Sequence, residues 1–307
     1  GQLWLTALDS SGKLGSAIKI TDSGENPNWS ADGSKAVFVD GDKLLIYDIA
    51  SKVVKETRAA VTYTRSIPDS RFTIRVGRLF DGNAEGYQTN VDVVVEKNRI
   101  TAIRPAASAP PVGTLIDASD KLMMPGLIEG HTHQSTSLGR QLGLRWFSYG
   151  VTAVRETGTD PYEAVERREA EVAGRRPGPR VFAAGPLNEG GRVSYGISET
   201  VGTPELAVAA VQRSSALKLD MLKSYVREDY TTQKTIIAEA HKTGIPISGH
   251  ELYPALANGA DQMEHFGATS RRGYSTKISR LNRTYDDVIS LLAKSGMIIT
   301  PTLALQT

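Results

Sequence analysis

The chain of 307 residues holds five histidines, and four of them stand where a fold could gather them. His131 and His133 flank a single threonine. In an extended segment, residues two apart project to the same side, so both imidazoles can face one point. His250 follows the run Ile245-Pro246-Ile247-Ser248-Gly249, and His265 follows Gln262-Met263-Glu264. Lys223 lies in a comparable run, Asp220-Met221-Leu222-Lys223-Ser224. Imidazole is the commonest side-chain ligand of divalent metals. A lysine buried near metal ions has its pKa lowered by desolvation and like charge. The neutral amine can capture carbon dioxide as a carbamate, whose two oxygens can bridge two ions. His-x-His alone recurs by chance, and a rim lysine with a solvated head is the ordinary reading of Lys223. Four histidines at the C-terminal ends of strands, on one rim, are hard to explain without a metal. His241, beside Lys242 in a helical pattern, reads as a surface residue.

Composition narrows the chemistry. The absence of cysteine excludes disulfides, thiolate metal sites and cysteine nucleophiles. Histidine and oxygen donors suit zinc, manganese, iron or cobalt. Thirty-six basic against 34 acidic side chains, a net +2, give no reason to expect a nucleic-acid or anionic-membrane partner. No apolar run is long enough to span a bilayer, and no signal peptide is recognisable. Lack of cysteine is compatible with a periplasmic or secreted location, and many cytosolic proteins lack it too, so the sequence leaves the location open.

Three textures follow one another. Residues 1–68 hold short alternating strands separated by turn formers such as Asp32-Gly33 and Asp40-Gly41. Residues 69–123 are also strand-rich, with Val91–Val95 and Arg99–Ile103 flanking a turn at Lys97-Asn98. Residues 124–307 alternate strand-like runs with helical patterns. The strand candidates are 126–129, 152–155, 181–184, 221–224, 245–248, 262–265 and 297–301; the helical ones are 164–173, 204–217, 231–243 and 285–295. Thr203-Pro204 is a helix start, with Thr as the cap and Pro in the first turn. Such alternation predicts an α/β fold, a parallel (β/α)8 barrel represented by strands one to seven.

These residues carry a resemblance. His-x-His on strand one, Lys on strand four, and His on strands five and six resemble the binuclear members of the amidohydrolase superfamily. The segment Met124-Pro125-Gly126-Leu127-Ile128-Glu129-Gly130-His131-Thr132-His133 is similar to that family's first-strand motif, with Glu129 where Asp is commoner. The stretch from Val76 to Ala118 looks like the small β-sandwich that precedes the barrel. Lys223-Ser224-Tyr225-Val226-Arg227 and Ser248-Gly249-His250-Glu251 resemble the imidazolonepropionase-like and prolidase-like branch. Pro27-Asn28-Trp29-Ser30-Ala31-Asp32-Gly33 followed by two strands resembles one blade of a TolB-like β-propeller, with Trp29 wedged between blades.

The resemblance implies a hydrolase cutting an amide of the dipeptide or N-acyl amino acid class. It implies two divalent ions, with zinc the first choice, sharing a Lys223 carbamate and a hydroxide. His131 and His133 would hold one ion, and His250 and His265 the other. Tyr225 would assist the carbonyl oxygen, and Arg227 would pair with a substrate carboxylate; rim packing and an ordinary surface arginine are the plain alternatives. Gly-rich stretches at 188–195 and 268–276 are expected to shape the pocket. A deaminase or a lactonase/esterase on the same scaffold, or a non-catalytic binding subunit, are the rival readings. The family's strand-eight Asp has no counterpart here. The eighth strand and the remaining propeller and sandwich strands are therefore expected from further N- and C-terminal parts of the same polypeptide, and a homo-oligomer is compatible with the sequence.

Overall fold

Close-spaced alternation of apolar and polar residues makes the first sheets. The computed structural model describes residues 2–57, 62–134, 136–266, 277–281 and 283–302. β1 (Leu3–Leu5) and β2 (Ile18–Thr21) pair antiparallel. β3 (Glu25–Trp29), β4 (Lys35–Asp40), β5 (Lys43–Asp48) and β6 (Val53–Thr57) form an antiparallel meander in chain order. Phe38 and Tyr47 are buried in its core with Ala36 and Leu45. The β3–β4 turn is closed by Asp32, whose carboxylate accepts from the hydroxyls of Ser30 and Ser34 and from the Ser34 amide; these bonds, Ser30's first, hold its pKa below the usual range. Gly33 takes a φ of 69°, which a side chain would resist. Trp29 departs from expectation: it is more than half exposed rather than wedged. The meander is what the structure supports here; the described strands close no propeller.

β7 (Arg71–Leu79), β8 (Gln88–Glu96), β9 (Arg99–Pro105) and β10 (Thr114–Met123) make a second sheet, ordered β10-β7-β8-β9, with only the β10–β7 pair parallel. The expected Lys97-Asn98 turn joins β8 to β9, with Lys97 left-handed at φ 58°. Arg75 and Asp92 face each other across β7 and β8. The guanidinium forks onto the carboxylate at 2.8 and 3.1 Å, and the Ala107 amide adds a third donor at 3.0 Å.

The third section builds the frame of the site. Its elements are β11 (Leu127–Thr132), α1 (Arg140–Ser148), β12 (Val151–Glu156), α2 (Pro161–Val172), β13 (Arg180–Ala183), β14 (Leu187–Glu189), β15 (Ser198–Thr200), α3 (Pro204–Ala216), β16 (Leu222–Ser224), α4 (Tyr230–Lys242), β17 (Ile247–Gly249), β18 (Gln262–Glu264), α5 (Asp286–Ser295) and β19 (Ile298–Thr300). Every expected strand and helix has its counterpart, and all pairings are parallel. The caps explain the starts. Asp160 accepts from the amides of Tyr162 and Glu163, Thr203 from Leu206, and Asp229 from Thr232. Leu222, Ile236, Ile237, Ile247 and Met263 pack between strands and helices with almost no exposure. α1 was not anticipated. Gly143 lies inside it because a Cβ there would stand 1.8 Å from the Pro177 carbonyl oxygen.

The strands form two hydrogen-bonded plates, β11-β12-β13 and β15-β14-β16-β17-β18-β19. Gly185-Pro186 separates β13 from β14, so the third strand changes plates midway. Part of the expected loop at 188–195 is thus strand: Leu187 and Asn188 pair with Lys223 and Ser224 of β16. The other expected loop, 268–276, lies outside the described residues. Among the described residues no helix is long and apolar enough to cross a membrane.

Asp92 has its pKa lowered chiefly by the Arg75 hydrogen bond, which outweighs burial. A depressed folded-state pKa contributes stability above the unfolded value and loses it as pH falls through the folded one. Asp92→Asn should therefore lower the melting temperature at pH 7, with the deficit shrinking as the pH is brought below 4. Melting curves of both proteins across acid pH check this; a deficit independent of pH speaks against an ionic role.

Candidate functional site

Parallel strands present their C-terminal ends to one rim, and the candidate residues sit at those ends. His131 lies near the end of β11 and His133 just beyond it; Lys223 is in β16; His250 and His265 directly follow β17 and β18. The ring centroids of His131 and His133 are 5.2 Å apart, those of His131 and His265 4.4 Å, and those of His250 and His265 4.9 Å. Lys223 Nζ, almost fully buried, is 3.9 Å from Glu264 Oε1. The structure thus brings all five together. His241 stands apart on α4, exposed, with Nε2 3.0 Å from Asp261 Oδ2.

The hydrogen bonds decide which nitrogens face the cluster. His133 Nδ1 lies 2.8 Å from the Gly158 carbonyl oxygen. A carbonyl only accepts, so Nδ1 donates and Nε2 keeps a free lone pair. His265 Nδ1 is 2.7 Å from Thr302 Oγ1. His250 Nδ1 is buried with no hydrogen-bond partner among the described residues, and so is Lys223 Nζ. Buried polar atoms without partners are uncommon and mark places where a group is expected. Lone pairs and two orphaned nitrogens in one pocket suit a divalent metal in their donor chemistry. As placed, however, the rings pack on one another as aromatics, and among the described residues no three His, Cys, Asp or Glu are arranged to hold an ion.

Burial governs the electrostatics. It lowers the Lys223 pKa to about 7, against the pull of Glu264 and with help from Arg155 and Lys277. It drives His250 well below the ordinary histidine value and His265 to about 3, with the Lys223 charge adding to both. Burial alone would raise Glu264; Lys223, His131 and Arg155 prevail and keep it ionised. Glu156, at the end of β12, is pushed up to about 7 by burial.

Tyr225 follows β16 and sets its ring edge-to-face on His250, with centroids 4.6 Å apart. Arg227 is turned toward the 188–195 stretch: it pairs with Glu189 and donates to Ser194 Oγ at 2.6 Å and the Arg192 carbonyl at 2.8 Å. Its Nε has no partner among the described residues. Sequence reasoning missed three residues. Glu264 and Arg155 lie inside the frame, and Lys277 is buried beside it. Lys277 Nζ donates to the carbonyls of His250 at 3.1 Å and Glu264 at 3.0 Å. A charged residue directly before a strand-end histidine was the available signal for Glu264; nothing local marks Lys277.

No protein-family profile matches the chain. Over 94 residues it is 34% identical to a D-hydantoinase of Streptomyces coelicolor, a stretch covering 29% of this chain and 20% of that protein. The chain therefore spans about a fifth of that relative's length. Among solved structures, a Xaa-Pro dipeptidase with bound methionine in its active site matches with a TM-score of 0.62 at 22% identity, over 76% of this chain and 67% of that one. A protein described as a prolidase from Bifidobacterium longum matches at 0.61 and 25% identity, over 77% and 62%. The fold is that of these Xaa-Pro dipeptidase and prolidase structures.

Lys277 supplies the test of how the strand ends are held. Lys277→Met removes donors from two buried carbonyls, which should cost about 1–3 kcal/mol of stability. Urea denaturation reads this as a lower midpoint; an unchanged midpoint would mean that Nζ does not engage them.

Proposed function

We propose that this chain is the catalytic section of a metal-dependent hydrolase that cleaves an amide bond in a dipeptide or N-acyl amino acid. One observation carries the reading: His131, His133, His250 and His265 cluster with a buried Lys223, whose Nζ has no hydrogen-bond partner among the described residues, at the strand ends of a prolidase-like scaffold. His131 and His133 would hold one ion, His250 and His265 a second, and Lys223 would bridge them as a carbamate. Zinc suits the all-imidazole donors. Bound there, divalent ions would supply hydroxide near neutral pH and polarise the scissile carbonyl. The chain's own residues do the rest. Tyr225, against His250, would donate to the carbonyl oxygen as negative charge builds on it. Arg227, held at the rim by Glu189, would pair with a substrate carboxylate. The burial of Lys223 keeps bulk water away from it.

A lysine inside the cluster favours this reading over a deaminase, which on the same scaffold usually uses one ion without a bridging lysine. The proposed division is 1–68 for a propeller section, 69–123 for part of a sandwich and 124–307 for the barrel section, with a periplasmic or secreted location.

Metal analysis of the purified full-length protein should find about two divalent ions per chain, the number this reading requires. Lys223→Ala should lose metal and the hydrolysis of Xaa-Pro dipeptides together, and short carboxylic acids should partly restore both. Undiminished hydrolysis by Lys223→Ala, or by wild-type protein stripped with a chelator, would refute the proposal.

A further inference from the structure

Glu264 has no solvent exposure, and an ionised carboxylate in that position needs donors on both oxygens. It has them. Oε1 accepts from Arg155 Nη2 at 2.6 Å, and Oε2 lies 2.8 Å from His131 Nδ1. Arg155 is fixed in turn. Its Nε donates to the Gly130 carbonyl at 2.7 Å, its Nη2 to Thr300 Oγ1 at 2.9 Å, and its Nη1 to Gln262 Oε1. One guanidinium thereby joins β11, β12, β18 and β19 behind the histidines.

The geometry has a chemical consequence. A carboxylate paired with arginine can only accept, so His131 must donate from Nδ1, which leaves Nε2 as a lone pair. Nε2 lies 3.2 Å from Thr157 Oγ1, whose hydroxyl can donate to that lone pair. Glu264 is also one peptide from His265, whose ring centroid is 4.4 Å from that of His131. A single residue therefore sets one ring and carries the backbone of another.

We propose that Glu264, held by Arg155, is a positioning residue that fixes His131 with its proton on Nδ1 and its Nε2 left without one. The inference rests on the metal-site reading above and extends it to residues that touch no substrate. An imidazole that donates its second N–H to a carboxylate is oriented by it and becomes a better ligand, and loss of such a partner typically costs about 10–100-fold in metal affinity.

The test uses the full-length protein, labelled with ¹⁵N-histidine and freed of metal. Long-range ¹H–¹⁵N correlation reports which nitrogen of each ring is protonated, and loss of a signal in His131→Asn assigns His131. The wild type should show the Nδ1–H tautomer. In Glu264→Gln, Arg155 keeps the amide oxygen, the amide NH₂ faces Nδ1, and the ring should switch to Nε2–H. Cobalt titration should give a weaker site in that variant by about 10–100-fold. An Nε2–H tautomer in the wild type overturns the proposal without any variant having to fold. So does a Glu264→Gln protein that keeps both the wild-type tautomer and the wild-type cobalt affinity. A wild type that binds no cobalt yet shows Nδ1–H refutes the metal reading and upholds the orientation by Glu264.

Discussion

The frame depends on one buried ion pair. Arg155 leaves β12 in the three-stranded plate and reaches Glu264 and Thr300 in the other plate. His131 and His133 belong to the first plate, and Lys223, His250 and His265 to the second. The candidate centre therefore straddles a seam that few backbone hydrogen bonds cross. Removing a carboxylate from water costs several kcal/mol unless its partners are complete. Glu264 is tolerable only while Arg155, His131 and Lys223 surround it, so the charge network and the alignment of the plates stand or fall together.

The apolar packing makes that network consequential. Leu222, Ile247 and Met263 lie next to Lys223, Ser248 and Glu264 in their strands, and α4 closes over them with Ile236 and Ile237. Water is thereby kept from the lysine, and burial becomes the largest influence on its proton affinity. The same dryness strengthens every polar contact that remains, so the few donors present have fixed assignments. Lys277 belongs to this logic: its ammonium joins the carbonyls following β17 and ending β18, just where two of the histidines emerge.

Much of this was legible in the order of residues. Strand and helix periods alternate visibly from 124 onward, and Thr203-Pro204 marks a helix start that the structure reproduces at the same residue. The histidines were legible because their type is rare and they stand at the ends of strand-like runs. Glu264 and Arg155 were not, because their importance arises from a contact between residues 109 positions apart across the interior. Local spacing carries no trace of such a contact. Gly185-Pro186 interrupts the strand, but the chain resumes as strand at once, which tertiary pairing with β16 decides. Gly143 hid α1, since a glycine within a helical pattern counts against it until Pro177 is seen to need the space. Trp29 shows the reverse error: an aromatic in a blade-like pattern implied a buried neighbour, and in the structure it is largely exposed.

The backbone at His265 adopts a left-handed φ of 59°, with its amide bonded to the Thr300 carbonyl. Among residues with a side chain, Asn, Asp and His enter that region most readily, and β-branched ones scarcely at all. Variation at this position is thus filtered by chain shape before chemistry has any say. Of the side chains that pass the filter, histidine and aspartate are themselves good donors to divalent ions. Descendants of this sequence could exchange nitrogen for oxygen at position 265 at little conformational expense, whereas valine, isoleucine or threonine there would strain the backbone whatever their chemistry.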